Sequence, residues 1–192
     1  MAITVDQLRA LADARGLHYF LDPARPVLMM GATGMHGSYQ MVMQVESQGM
    51  FLQFRTLHYM HCPPDHPHLN EVLKVLGALN LKLRLVKFAW DASDGEIVVY
   101  ADIWVMDNDV TQEQFNRMLH NYLSALDIHS VRIKQTMADG KDPGDEDPQE
   151  MLKKMLGAQG ALPPPLRKML EELKGKGKDA PPSKKPPSVD EI

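Results

Sequence analysis

Four histidines and the chain's one cysteine, His58, His61, Cys62, His66 and His68, fall within eleven residues. Imidazole nitrogens and a thiolate are the donors that zinc and copper prefer, so a run this dense is the first place to look for a metal. Its spacing is not that of a standard zinc module, which gathers ligand pairs from two separated elements. Three prolines, Pro63, Pro64 and Pro67, further restrict how ligands in one continuous loop converge. The competing reading is a solvated loop with His66 or His68 beside the N-terminus of the helix that follows. A metal-responsive site would lose stoichiometric metal when His61 and Cys62 are replaced; the solvated loop needs no cofactor, and the spacing favours it.

Three glycines at intervals of three, Gly31, Gly34 and Gly37, suggest a loop that cradles phosphate. Such a loop needs a strand before it and a helix N-terminus after it, to supply aligned amides. Here a strand follows, so the glycines are expected to serve a hairpin connection with φ > 0. Cys62 lacks any visible neighbour that would lower its pKa or build an oxyanion hole, which argues against a nucleophile. Asp102, inside an apolar strand, is expected on a solvated face. No paired acid and base emerge, and the reading is of a protein that is not an enzyme.

The elements that must position these residues can be read from period and punctuation. Thr4 with Gln7 forms a capping box and Ile3 with Leu8 a hydrophobic staple, so a helix starts there and stops at Gly16. Short strands follow. From Tyr39 to Glu46 the pattern alternates, with Tyr39, Met41, Met43 and Val45 on one face, and Ser47-Gln48-Gly49 turns the chain into a partner strand over 50–59. Leu69, Val72, Leu73, Leu76 and Leu79 lie on one helical stripe and predict a second helix over about 67–81. Asp94-Gly95 marks a hairpin between 83–90 and 96–105, with Ile97, Val99, Ala101, Ile103 and Val105 toward the core. Thr111 and Gln114 repeat the capping box and open a third helix with the stripe Phe115, Leu119, Tyr122 and Leu126. Its end is expected near Asp127, and a continuation through Val131 and Ile133 is left open.

From Lys141 onward the composition changes: nine of the 14 prolines fall there and aromatic residues vanish. Residues 1–140 therefore read as one domain and 141–192 as a mostly flexible tail, broken by two short amphipathic pieces. The second of these, with Leu166, Met169, Leu170 and Leu173, has the i, i+3, i+4, i+7 spacing of a helix that lies in a groove. Seven of the 14 methionines (Met29, Met30, Met35, Met41, Met43, Met50 and Met60) gather in the first sheet segment. They form either an adaptable contact strip or a methionine-filled core, and alternation alone does not choose between these.

A hydrophobic share of 44% and a net charge of -4 indicate a folded chain without the basic field that draws proteins onto nucleic acid. A single cysteine excludes an intrachain disulfide. With no basic and apolar leader at the start and no apolar run of spanning length, the expected location is cytoplasmic, off the membrane.

The order helix, three strands, helix, hairpin, helix, with Leu79-Asn80 closing the middle helix, the stretch 86–91 and the strand over 96–105, resembles the YbjN family over about residues 1–135. That family looks like the type III secretion chaperones in fold. The resemblance implies an α+β domain with an antiparallel sheet of about five strands and three helices, often dimeric, that binds polypeptide or acts in regulation, and it carries no catalytic residues. The expected contacts for a polypeptide partner, or for a second copy, are Met41, Met43, Phe51, Phe54 and Trp104 on the domain and Leu166, Met169 and Leu170 in the tail.

Overall fold

The structure is a computed structural model that describes residues 3–22, 25–105 and 110–144. Both capping boxes form. At the first helix, α1 (Val5–Ala14), the Gln7 N–H donates to the Thr4 hydroxyl and the Thr4 N–H to the Gln7 side chain; Thr111 and Gln114 do the same for the last described helix. Each box satisfies two of the four N–H groups that a helix start leaves without partners, which is why both starts are legible locally.

Between α1 and the second helix run five strands: β1 (Phe20–Leu21), β2 (Val27–Thr33), β3 (Ser38–Glu46), β4 (Phe51–Leu57) and β5 (Met60–His61). Helix α2 (Leu69–Lys82) leads to the hairpin of β6 (Val86–Trp90) and β7 (Glu96–Trp104), and α3 (Gln112–Asp139) follows. All pairings are antiparallel, in the order β1-β2-β3-β4-β7. The expected five strands are present, and two strands of two residues each, β1 and β5, extend the sheet to seven. Strands β4 and β5 share one edge of β7, separated by His58 at φ 50, and β6 takes the other edge. The β6–β7 turn needs its glycine: Gly95 stands at φ +78, and a Cβ there would run into the Cys62 carbonyl.

Strand alternation sorts the side chains into two faces. Leu28, Met41, Met43, Leu52, Phe54, Ile97, Val99 and Ala101 are buried with Leu8 of α1, Leu76 and Leu79 of α2, and Phe115, Tyr122 and Leu126 of α3. Phe54 meets the Phe115 and Tyr122 rings edge-on at 5.7 and 5.8 Å. The buried phenols are satisfied, Tyr122 donating to the Val99 carbonyl (2.8 Å) and Tyr59 to that of Leu126 (2.7 Å). The helices thus cover one face of the sheet.

Asn80, at the end of α2, guards the sheet edge. Its side-chain amide donates to the Phe88 carbonyl and its carbonyl accepts the Phe88 N–H, both at 2.8 Å. An otherwise open β6 backbone pair is thereby closed, which blunts an edge that would invite another strand. Lys87 Nζ donates to the carbonyls of Asn80 and Leu83 and closes the last turn of the same helix.

Two expectations change. Helix α3 does not end near Asp127 but runs 28 residues to Asp139. And Gly31, Gly34 and Gly37 do not take positive φ. The loop they punctuate presents the N–H groups of Met35 and His36 to the Asp127 carboxylate at 2.9 and 2.8 Å, while the Tyr39 hydroxyl donates to the same group at 3.0 Å and His36 Nδ1 lies 3.4 Å away. A Cβ at Gly34 would overlap that carboxylate, which explains the glycine by close approach. The loop does cradle an anion, and the anion belongs to the chain itself. Burial would raise the Asp127 pKa, but the amides of His36 and Met35, then the Tyr39 hydroxyl and the His36 ring, outweigh it and hold the carboxyl below its ordinary range.

Candidate functional site

The face of the sheet turned away from the helices is built by the alternate residues of the same strands, and register places them in rows. The first row is Glu46, Phe51 and Trp104. The next is Val27, Gln44, Gln53 and Asp102, and the third is Met29, Val42, Arg55, Tyr100 and Lys87.

In the first row the Phe51 and Trp104 rings are tilted at 46° with centroids 5.1 Å apart, and Trp104 is 63% exposed. A tryptophan this open, braced by a second ring, offers apolar area with little side-chain freedom to lose on contact. In the second row, hydrogen bonds cross the strands. Gln44 Nε2 donates to Glu46 and to Gln53 Oε1 (2.9 Å), and Gln53 Nε2 donates to Asp102 Oδ1 (2.9 Å). This ladder fixes the carboxylates beside the aromatic pair. Beyond it lies a hollow of about 400 Å³ whose walls include Arg55, Trp90, Val98 and Tyr100. Trp90 is locked by its indole N–H, which donates to the Cys62 carbonyl at 2.8 Å. On the rim, Asp91 accepts from the Ser93 hydroxyl and N–H; these bonds, with the nearby charge of Arg55, hold its carboxyl below the ordinary range.

Of the residues expected as contacts, the structure brings Phe51 and Trp104 together on this face. It corrects three others: Met41, Met43 and Phe54 are wholly buried under the helices and build the core. The methionines divide: Met41 and Met43 are core, Met30 and Met60 pack against it, Met29 lies on the open face, and Met35 and Met50 at loop positions are exposed. Leu166, Met169 and Leu170 lie outside the described residues. Asp102 is on the solvated face as expected.

The histidine and cysteine run does not converge. Cys62 is buried, and burial pushes its thiol pKa up, away from the thiolate that would bind metal. His61 Nε2 lies 2.9 Å from the Asp94 carbonyl, and the His58 N–H donates to Glu96 Oε1. The His66 ring accepts the His68 N–H at 3.2 Å, and a Cβ on Gly140, at the end of α3, would strike the His68 ring. These side chains build turns and helix ends. Among the described residues no group of three or more histidines, cysteines or carboxylates is placed to hold a metal ion.

Gln44, Gln53, Arg55, Trp90 and Tyr100 were not picked out by sequence. Alternation in β4 sets Phe51, Gln53, Arg55 and Leu57 on one side, a signal that was available; their neighbours on β7 follow only from a pairing between residues about fifty apart.

Comparison with known proteins agrees with this architecture. No curated protein matches the chain. Among solved structures, YbjN from E. coli is 19% identical with a TM-score of 0.53, covering 72% of this chain and 94% of that one. The ExsC-ExsE complex follows at 15% identity and a TM-score of 0.48, covering 69% and 97%. The ExoU-SpcU complex from the type III secretion system of Pseudomonas aeruginosa is 18% identical with a TM-score of 0.41, covering 61% and 89%. The sequence model of YbjN, described as "Putative bacterial sensory transduction regulator", matches residues 4–129, from the Thr4 cap of α1 to the middle of α3. With every element of the sheet inside that match, the chain belongs to the YbjN family.

Proposed function

We propose that this protein is a non-enzymatic polypeptide-binding module, a chaperone-like or regulatory adaptor, and that it docks a segment of another protein on the open face of its sheet. One observation carries the reading: among the described residues the helices cover one face of the sheet, and the opposite face displays the exposed, braced Phe51–Trp104 pair. Aromatic residues held rigidly at a solvated surface are the side chains that most often dominate protein recognition. Leu166, Met169 and Leu170 belong to the same proposal as further apolar contacts, as do a cytoplasmic site of action and a homodimer, which the family resemblance implies. Among the described residues no helix is long and apolar enough to cross a membrane.

Trp104→Ala should weaken partner binding by roughly 30-fold, the loss of about 2 kcal/mol common for a central aromatic contact, and should move the thermal midpoint by under about 3 °C. Polypeptides retained by the immobilised full-length protein would be quantified beside Trp104→Ala and beside Leu81→Ala, a control at an 88% exposed position on α2. Loss with the first and retention with the second supports the reading. Equal retention by both variants removes the aromatic pair from it.

A further inference from the structure

We infer that the segment docked on the open sheet face presents a carboxylate to Arg55, an acidic side chain set between apolar ones. This inference rests on the polypeptide-binding reading and specifies the chemistry of the partner.

Arg55 lies in the middle of the third row, directly opposite Val42 on one side and Tyr100 on the other. It lines two hollows at once. The first, of about 400 Å³, has Ala89, Trp90, Val98 and Tyr100 in its wall. The second, of about 160 Å³, has Val27, Met29, Val42 and Leu57, with Arg25 at its rim. One guanidinium thus stands between a hollow of mixed lining, which also holds Gln53 and Asp91, and a mainly apolar one. Their linings centre on β7 and β3, roughly 10 Å apart at the usual strand spacing, a distance an extended segment covers in about three residues.

The charged groups around it are otherwise occupied. Glu46 accepts from Gln44, Asp102 from Gln53, Asp91 from Ser93, and Asp22 from Arg25 at 3.1 Å. Lys87, at the far end of the row, donates to two helix-end carbonyls. The Arg55 side chain makes no hydrogen bond or ion pair among the described residues, and Asp91, whose carboxylate feels its charge, is turned into its own loop by Ser93. A planar guanidinium flanked by Trp90 and Tyr100 in the same hollow matches a carboxylate in bidentate fashion, and does so better than a lysine would. Nucleic acid fits poorly: a net charge of -4 and a single central cation do not neutralise a phosphate backbone, and phosphates leave apolar hollows unfilled.

The probe is the synthetic peptide acetyl-Leu-Ala-Glu-Ala-Leu-amide, titrated into ¹⁵N-labelled full-length protein, with the peptide carrying Gln for Glu and with inorganic phosphate as controls. Expected are shifts at Val42, Val98, Tyr100 and the Arg55 side chain. Affinity should fall about tenfold for the Gln peptide and about tenfold for Arg55→Gln, with no further loss when the two changes are combined, because both remove the same pair. The exposed position of Arg55 leaves the fold of that variant intact, which its own spectrum verifies. Glu and Gln peptides that shift the same face equally overturn the inference while leaving the polypeptide-binding reading standing. Phosphate that shifts Arg55 at lower concentration than the Glu peptide overturns it in favour of a free anion, and no shift on the face from either peptide counts against both.

Discussion

Replacing Asp127 with alanine is expected to lower the thermal midpoint of the domain by roughly 10 °C. The carboxylate accepts the N–H groups of Met35 and His36 and the Tyr39 hydroxyl, and its removal leaves three polar groups without their partner. Unmade bonds of this kind cost about 1–3 kcal/mol each when buried; these are partly accessible, so a total of roughly 2–4 kcal/mol is reasonable, with each kcal/mol worth about 3–5 °C in a domain of this size. Asp127→Asn keeps one acceptor oxygen and should lose about half as much. The pH dependence has a definite sign. Because the folded carboxyl sits below its ordinary value of 3.8, its stabilisation is complete above that value and is lost as pH falls through the lower folded pKa. The wild type and Asp127→Ala should therefore differ most at neutral pH and converge in strong acid. Thermal melts followed by circular dichroism at pH 7 and in steps below pH 4 would check both parts; a constant gap down to the lowest pH would show that the loop is held by packing and not by charge.

Phe54→Ala should cost more, about 3–5 kcal/mol, because the ring is fully buried and the two rings it meets edge-on, Phe115 and Tyr122, belong to the long helix. Chemical denaturation should show a midpoint well below wild type with little change in slope. The protein that stays folded should bind partner as before, since Phe54 faces α3 and not the open face. Trp104→Ala should do the reverse, with binding lost and stability kept. The two aromatic residues lie on adjacent strands and were grouped as one contact surface by sequence, so this double dissociation separates core from contact more sharply than either variant alone. Full stability with lost binding in Phe54→Ala would place the contact on the helical side.

What was legible in the sequence was local. The capping boxes at Thr4 and Thr111, the Asp94-Gly95 turn and the alternation of β3 and β7 each depend on residues a few positions apart, and each occurs where it was read. The length of α3 was not legible, because its second half carries buried polar residues that interrupt the apolar stripe. Asp127 reaches back to the glycine loop, Ser130 Oγ donates to the Asp127 carbonyl, and Thr136 Oγ1 donates to that of Arg132. Arg132 in turn pairs both its Nε and its Nη2 with Asp142, past the helix end. Each of these reads as a helix breaker or surface residue until its partner is known. Period-2 alternation likewise showed that Met41 and Met43 share a face, but which face is covered depends on where α3 lies. Arg55 required the register of β4 against β7, a pairing across a long loop that no local pattern encodes.

The sheet face left open among the described residues, centred on Phe51, Trp104 and Arg55, is the surface proposed to dock another polypeptide. A photoreactive benzophenone residue incorporated at position 104, with a matched probe at position 81 on α2, tests it most directly. Illumination of full-length protein in its native extract, followed by mass spectrometry of the adducts, should give a defined polypeptide cross-linked from position 104 and none from position 81. Adducts from position 81 with none from position 104 would contradict the account and move the docking surface to the helical side of the domain.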